Sequence, residues 1–240
     1  MDVLKEIFFG NWLNFVALCW FLLCFKGYMR YAEIKSHTTP CLASMMHMYR
    51  REWMLGLLDR DVRMADTSTI ANLERSVGFF ASTTMLILAG LMTVLGSTEK
   101  AIDVVADIPF AVPATREEWE VKIMVLIILF VYAFFKFTWS LRQYGFAAVM
   151  IGSAPAPSQA ISNEVKVACA ERIAKMTSMA ASNFNIGLRT YYFSQAVLGW
   201  FINPLIFMGL SALVAFILYR REFSSSTLKT LMMTEGHVKT

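Results

Sequence analysis

The chain has 240 residues, of which 57% are hydrophobic and 17% charged, with a mean hydropathy of +0.51 and a formal net charge of +4. An average soluble domain is about 45–50% apolar and about 25% charged, so a water-soluble fold would have to bury more apolar surface than a chain of this size encloses. The modest positive charge is not gathered into a basic stripe, which gives no footprint for nucleic acid.

Four stretches are long and apolar enough to cross a hydrocarbon core about 30 Å thick, which takes about 20 helical residues. Ile7–Phe25 opens the chain without a charge. Its apolar run is too long for a signal-peptide core and it ends in Phe25, Lys26, Gly27 and Tyr28 rather than at small residues, so it reads as a retained anchor. Thr39 and Pro40 then read as an N-cap and first helical residue. The run Cys41–Arg63 places Leu42, Met45, Met46, Tyr49, Trp53, Leu57 and Leu58 along one side, the pattern of an amphipathic helix on the cytoplasmic side. Arg50, Arg51 and Trp53 in it are candidates for contact with lipid or a partner.

Asp66 reads as the cap of a helix running unbroken to Leu95, about 43 Å long, with Ser76–Thr98 as its uncharged span. The next connection holds Asp107, Ile108, Pro109 and Phe110, then Val112 and Pro113, an irregular lid-like segment. Thr115 to Glu118 has the sequence of a capping box. It opens a helix whose span, Ile123–Leu141, carries Lys136 alone. Gly152 to Pro157 is a breaker stretch and Ser158–Ala181 a second amphipathic helix. Thr190–Tyr219 carries no charge and contains Asn203 and Pro204, which predict a kinked final span with the Trp200 carbonyl freed. Trp200 and Trp20 fall at mid-span and are expected to pack inside the bundle, whereas Trp12 and Trp119 suit the outer headgroup level.

Lysine and arginine mark cytoplasmic loops. The first connection holds Lys26, Arg30, Lys35, Arg50, Arg51, Arg60, Arg63 and Arg75, and the third holds Lys136, Arg142, Lys166, Arg172, Lys175 and Arg189. The second has only Lys100, Arg116 and Lys122 among several carboxylates. This predicts both termini outside, although Lys5, Arg220, Arg221, Lys229 and Lys239 then oppose the bias.

Three groups of residues invite chemistry. Cys41, Met45, His47 and Met48, with His37 nearby, share enough of a helix face to suggest a soft-metal site, but a packing stripe explains them without one. Lys136, Asn203 and Trp200 are the candidates for binding a substrate inside the membrane, since intramembrane charges and kinked helices with a polar residue line pathways in transporters. Lys136, however, lies about 7–8 Å from the end of its span, within reach of a snorkelling side chain. Glu52, Asp59, Asp61 and Asp66 can hold a metal or do acid–base work, but the interleaved Arg50, Arg51, Arg60 and Arg63 point first to ion pairs.

Arg50, Arg51, Trp53 and Met54, the segment Gly78 to Thr84, and the closing run from Arg189 to Phe193 through Gly199 to Ile202 and Leu218 to Phe223 resemble the domain-of-unknown-function family five-nine-nine of bacterial and plant membrane proteins. The resemblance covers nearly the whole chain. It implies a four-helix integral membrane protein and carries no catalytic residues.

The sequence therefore reads as an all-α polytopic membrane protein: four transmembrane helices, about 7–25, 76–98, 123–141 and 195–219, and two amphipathic helices on the cytoplasmic side. They form one membrane domain over 1–223, a four-helix bundle in a bacterial inner membrane, followed by a disordered polar tail over 224–240. The expected role is a non-catalytic component or scaffold that meets the lipid bilayer and assembles with a second copy or a membrane-protein partner. The alternatives are a transporter or channel subunit with a kinked fourth helix, and a membrane-bound metal-dependent enzyme. No cofactor is expected.

Overall fold

Apolar runs free of internal breakers and rich in Leu, Ala, Met and Phe favour helices, because in lipid every backbone group must be paired within its own segment. The computed structural model describes residues 12–36, 38–106, 112–159 and 161–233, and among them there is no strand. The helices are α1 (Trp12–Ser36), α2 (Leu42–Leu58), α3 (Met64–Gly96), α4 (Thr98–Ala106), α5 (Arg116–Gly152), α6 (Asn163–Leu198), α7 (Pro204–Phe223) and α8 (Ser226–Met233), with a 3₁₀ turn at Gly199–Phe201. The protein is an all-α polytopic membrane protein. α1, α3, α5 and the segment that begins at Pro204 are each long and apolar enough to span a bilayer.

The chain forms two units, and α3, α5 and α6 contribute to both. Unit 1 comprises residues up to Lys35, Leu86–Tyr132 and Leu188–Arg221. Its core is aromatic. Phe21 lies 6.0 Å edge-on from Phe193 and 5.1 Å from Phe207, and Phe207 stacks on Trp200 at 4.9 Å. Lipid tails are as apolar as Leu, so this close packing, not escape from water, holds the helices together. α6 supplies the inner strip of Thr190, Phe193, Ser194, Ala196 and Val197, all buried. Ser194 satisfies its hydroxyl on the Thr190 carbonyl at 2.9 Å and Ser211 on that of Phe207 at 2.7 Å.

The pairings within unit 1 fix the helix directions. Asn14 meets Trp200, Phe21 and Phe25 meet Phe193, and Arg189 lies over Tyr28, so α1 and α6 are antiparallel. Trp119 meets Phe201 and Phe130 meets Tyr191, so α5 is antiparallel to α6 as well. Trp20 donates to the Met208 carbonyl and Tyr31 packs on Tyr219, so α1 and α7 run parallel.

Unit 2 comprises Ser36–Met85, Ala133–Gly187 and the residues from Glu222 on. Phe80, Phe137 and Phe184 form a three-ring contact between α3, α5 and α6, with centroids 5.5–5.8 Å apart. Gly187 lets the Phe137 ring sit where a Cβ would otherwise be. α2 lies on α6 through His47 with Ser178 and Arg51 with Glu171. α8 docks on α2 through Tyr49, whose hydroxyl donates to the Leu231 carbonyl at 3.0 Å.

Several expectations change. There is no kinked helix over 195–219. α6 continues to Leu198, the chain turns at Gly199–Phe201, and α7 starts afresh at Pro204. Asn203 caps it by accepting the Leu205 N–H at 2.8 Å, and proline at the first helical position needs no N–H partner. The segment Ser158–Ala181 belongs to α6 rather than standing as a separate helix. α2 is capped by Cys41 and Ser44, not by Thr39 and Pro40, because the thiol and hydroxyl close a reciprocal box. Asp66 lies inside the first turn of α3 rather than capping it. Trp119 is buried against Phe201, and Trp20 stays half exposed with its indole on a carbonyl. Residues 224–233 include α8, while 234–240, 1–11, His37 and residues 107–111 of the expected lid lie outside the described residues. The Thr115 cap is present, accepting the Glu118 N–H at 3.4 Å.

Candidate functional site

The charged residues of unit 2 gather where α2, α3, α5 and α6 end or begin. Asp66, on α3, is 2% exposed and accepts from Trp53 Nε1 at 2.6 Å and from Arg60 at 2.5 Å. Its second oxygen, Oδ2, is buried with no hydrogen-bond partner among the described residues. Arg63 donates to the carbonyls of Ile151, in the last turn of α5, and of Ala154 and Pro155 just past its end. A guanidinium there also meets the negative end of the helix dipole. Arg51 bonds Glu171 on α6 at 3.0 Å, and Lys166 lies 3.6 Å from Asp59. Arg50 is half-buried; burial pulls its guanidinium below its ordinary pKa, and the neighbouring Tyr144 opposes that shift. Arg51 and Trp53 thus join His47 and Tyr49 in engaging the rest of unit 2, with Arg51 half open to water.

The metal candidates have protein partners. Cys41 Sγ accepts the Ser44 N–H at 3.5 Å, Met45 is buried, and His47 Nδ1 pairs with Ser178 Oγ at 2.8 Å. Among the described residues no three His, Cys, Asp or Glu side chains converge in metal-binding geometry.

Lys136 reaches α6, donating to Asn183 Oδ1 at 3.2 Å. Asn183 in turn donates to Gln143 at 2.8 Å, and Ser140 donates to the Ala180 carbonyl at 2.7 Å. This ladder of polar contacts along the α5–α6 seam was not legible in the sequence. Gln143 and Asn183 are far apart in the chain, and only the antiparallel register of two helices brings them together.

Trp200 and Asn203 belong to unit 1. Trp200 donates to Asn14 at 2.7 Å, and Lys122, which counts in the sequence only as a cation of the second connection, is buried and places its ammonium 5.8 Å from the indole centre. Asn203 is occupied as a cap. Also in unit 1, Ile102, Val105, Val112, Pro113, Ala114, Trp119 and Phe201 line an apolar cavity of about 190 Å³. Val112 N–H bonds the Ile202 carbonyl at 2.9 Å beside it.

The sequence matches the family described as "Protein of unknown function, DUF599" over residues 16–227. The chain belongs to the DUF599 family. No curated protein and no solved structure matches it. The match to DUF599 runs from α1 to the start of α8 and so takes in the Asp66 knot, the Lys136–Asn183 ladder and the Asn203 cap alike.

Proposed function

We propose that this DUF599 protein is a non-catalytic component of a bacterial inner membrane that assembles with itself or with membrane-protein partners. The observation that supports it is the use made of the charged side chains in unit 2. Asp66, Arg60, Arg63, Arg51 and Lys166 each tie one helix to another or close a helix end, which is the work of an assembly element rather than of acid–base catalysis. Purification in a mild detergent, with the mass of the particle and the identity of co-purifying chains measured, tests this. A discrete oligomer or a stoichiometric partner is the expected result, and a monomer without partners would overturn it.

The Lys136–Asn183–Gln143 ladder favours a transporter or channel subunit as the second reading, because polar side chains within a span mark pathways. Solute or ion flux in proteoliposomes, lost on Lys136→Met in a well-folded protein, would establish it.

For the threading we propose that the N-terminal end is outside and the C-terminal end cytoplasmic. α1 and α7 are parallel in unit 1, with Lys35 over the Tyr219 ring at 5.5 Å, so support comes from two spans that finish at the same end. α6, antiparallel to both, returns the chain between α5 and α7 as a fifth traversal. Support for the traversal comes from its last turns, which are enclosed within unit 1, with Thr190, Phe193, Ser194 and Val197 buried. The chain leaving α7 packs with the chain that follows α1, since Glu222 accepts the Ala43 N–H at 3.2 Å. Arg220, Arg221 and Lys229 then join the cation-rich side, and Lys5 is left as the opposing cation at the N-terminal end.

A further inference from the structure

We propose that the exposed cations at the Tyr31/Tyr219 end of unit 1 form a binding surface for the headgroups of anionic phospholipids. The proposal rests on the protein being membrane-embedded, as read above, and not on which side its ends face. On α1 one exposed stripe passes from Leu22 and Leu23 to Lys26 and Arg30. On α7 a second passes from Leu213, Phe216 and Ile217 to Arg220 and Arg221. Each stripe keeps to one side of its helix by three- and four-residue steps. On both helices the surface that meets acyl chains therefore turns cationic within about 5 Å of helical rise, which is where headgroups begin.

Tyrosines stand at that level. The rings of Tyr31 and Tyr219 are 6.0 Å apart, and the Lys35 ammonium lies 5.1 and 5.5 Å from their centres. Arg221 donates to the Tyr192 hydroxyl at 2.9 Å, which fixes its guanidinium while leaving other N–H groups to point outward. Lys26, Arg30 and Arg220 have no hydrogen bond or ion pair among the described residues. Carboxylates are scarce: Glu33 is the one acid in α1, and Glu222 the one in α7, where it takes the Ala43 N–H. The phosphate of phosphatidylcholine or phosphatidylethanolamine is neutralised by its own ammonium. A net-negative headgroup such as phosphatidylglycerol leaves a charge for these cations to meet. An acidic protein segment carries the same charge, but the continuity of each stripe with lipid-facing side chains favours lipid as the occupant.

The test is a lipid titration of the detergent-solubilised protein, reading the melting temperature against added phosphatidylglycerol or phosphatidylcholine at low and high salt. Arg30→Gln/Arg220→Gln and Lys26→Gln/Arg221→Gln are compared with Lys100→Gln, which removes a cation from the connection after α3. Only variants that elute and melt as single species without lipid are titrated; having two pairs guards against one failing to fold. Phosphatidylglycerol should raise the melting temperature, with a midpoint that weakens at least about tenfold in either double variant and is unchanged in Lys100→Gln. Equal response to phosphatidylcholine, or an unmoved midpoint in the double variants, overturns the proposal. Loss of a co-purifying acidic protein with the lipid midpoint intact overturns it in favour of a protein occupant. If no oligomer or partner is found but the midpoint still moves, the assembly reading falls and the headgroup surface stands.

Discussion

At the scale of single residues, burial separates interactions that matter from those that do not. Asp66 is 2% exposed beside Arg60, whereas Arg51 and Glu171 are both about half exposed, at 50% and 52% of their side chains. Asp66→Ala leaves the Trp53 N–H without its acceptor and should cost about 1–3 kcal/mol of stability. Arg51→Ala should cost below about 1 kcal/mol, since water screens an exposed pair. Thermal unfolding in detergent measures both, and equal losses would contradict the ranking. The glycines give a second contrast. A Cβ at Gly187 would run into the ring of Phe137, which is fully buried and held between Phe80 and Phe184. Gly187→Ala should therefore destabilise by about 1–3 kcal/mol. Gly78, also within a helix, has open space around it, and Gly78→Ala should be neutral or stabilise by up to about 1 kcal/mol. The sequence offers the same residue at both positions; only the packing gives the two changes opposite signs.

At the scale of elements, Asn203 and Pro204 carry the largest change between sequence and structure. An uncharged run from Thr190 to Tyr219 reads as one helix, and proline inside a helix predicts a kink. The same dipeptide is also a good cap and first residue, and nothing local distinguishes the two uses. The aromatic contacts across the turn decide between them: Trp200 stacks on Phe207, and Arg221 returns to Tyr192, so α6 and α7 form a hairpin. Asn203→Ala should then cost about 1 kcal/mol, the ordinary value of a lost cap. Pro204→Ala should change stability by less than about 1 kcal/mol and leave α7 starting where it does. A gain of well over about 1 kcal/mol for Pro204→Ala, toward the roughly 3 kcal/mol scale of relief when a proline leaves a helix interior, would restore the kinked span. The class of fold, the start of α5 and the unbroken length of α3 were legible because long apolar runs and capping boxes are local signals. α6 was only half legible. Its first half carries exposed Glu164, Glu171, Arg172 and Lys175, whereas its last turns bury Thr190, Phe193, Ser194 and Val197, so hydropathy registers two segments where the backbone makes one helix. The Asp66 knot was visible as a charge cluster, but which Arg pairs with which carboxylate depends on helices meeting in space.

At the scale of the whole molecule, the threading yields the most discriminating prediction. Four spans would return the chain to its starting side and leave Arg220, Arg221 and Lys229 outside, against the positive-inside tendency. The proposed five traversals, with α6 as the return between α5 and α7, would put those cations on the cytoplasmic side, in keeping with that tendency. Parallel α1 and α7, set by the Trp20–Met208 and Tyr31–Tyr219 contacts, call for an odd number of crossings. A fluorescent protein that folds only in the cytoplasm, fused after Thr240, should therefore be bright. Alkaline phosphatase, which becomes active only outside, should be inactive at that position and active when inserted in the connection between Thr98 and Thr115. A dark C-terminal fusion with an active phosphatase at both places would leave α6 on one side of the bilayer and return the chain to four crossings. Replacing Arg220 and Arg221 by Gln together should shift part of the population toward that arrangement, because in the proposed threading these cations hold the last span's end in the cytoplasm. If the double variant stays fully bright, packing of α7 against α1 and α6, rather than charge, sets the orientation of the last span.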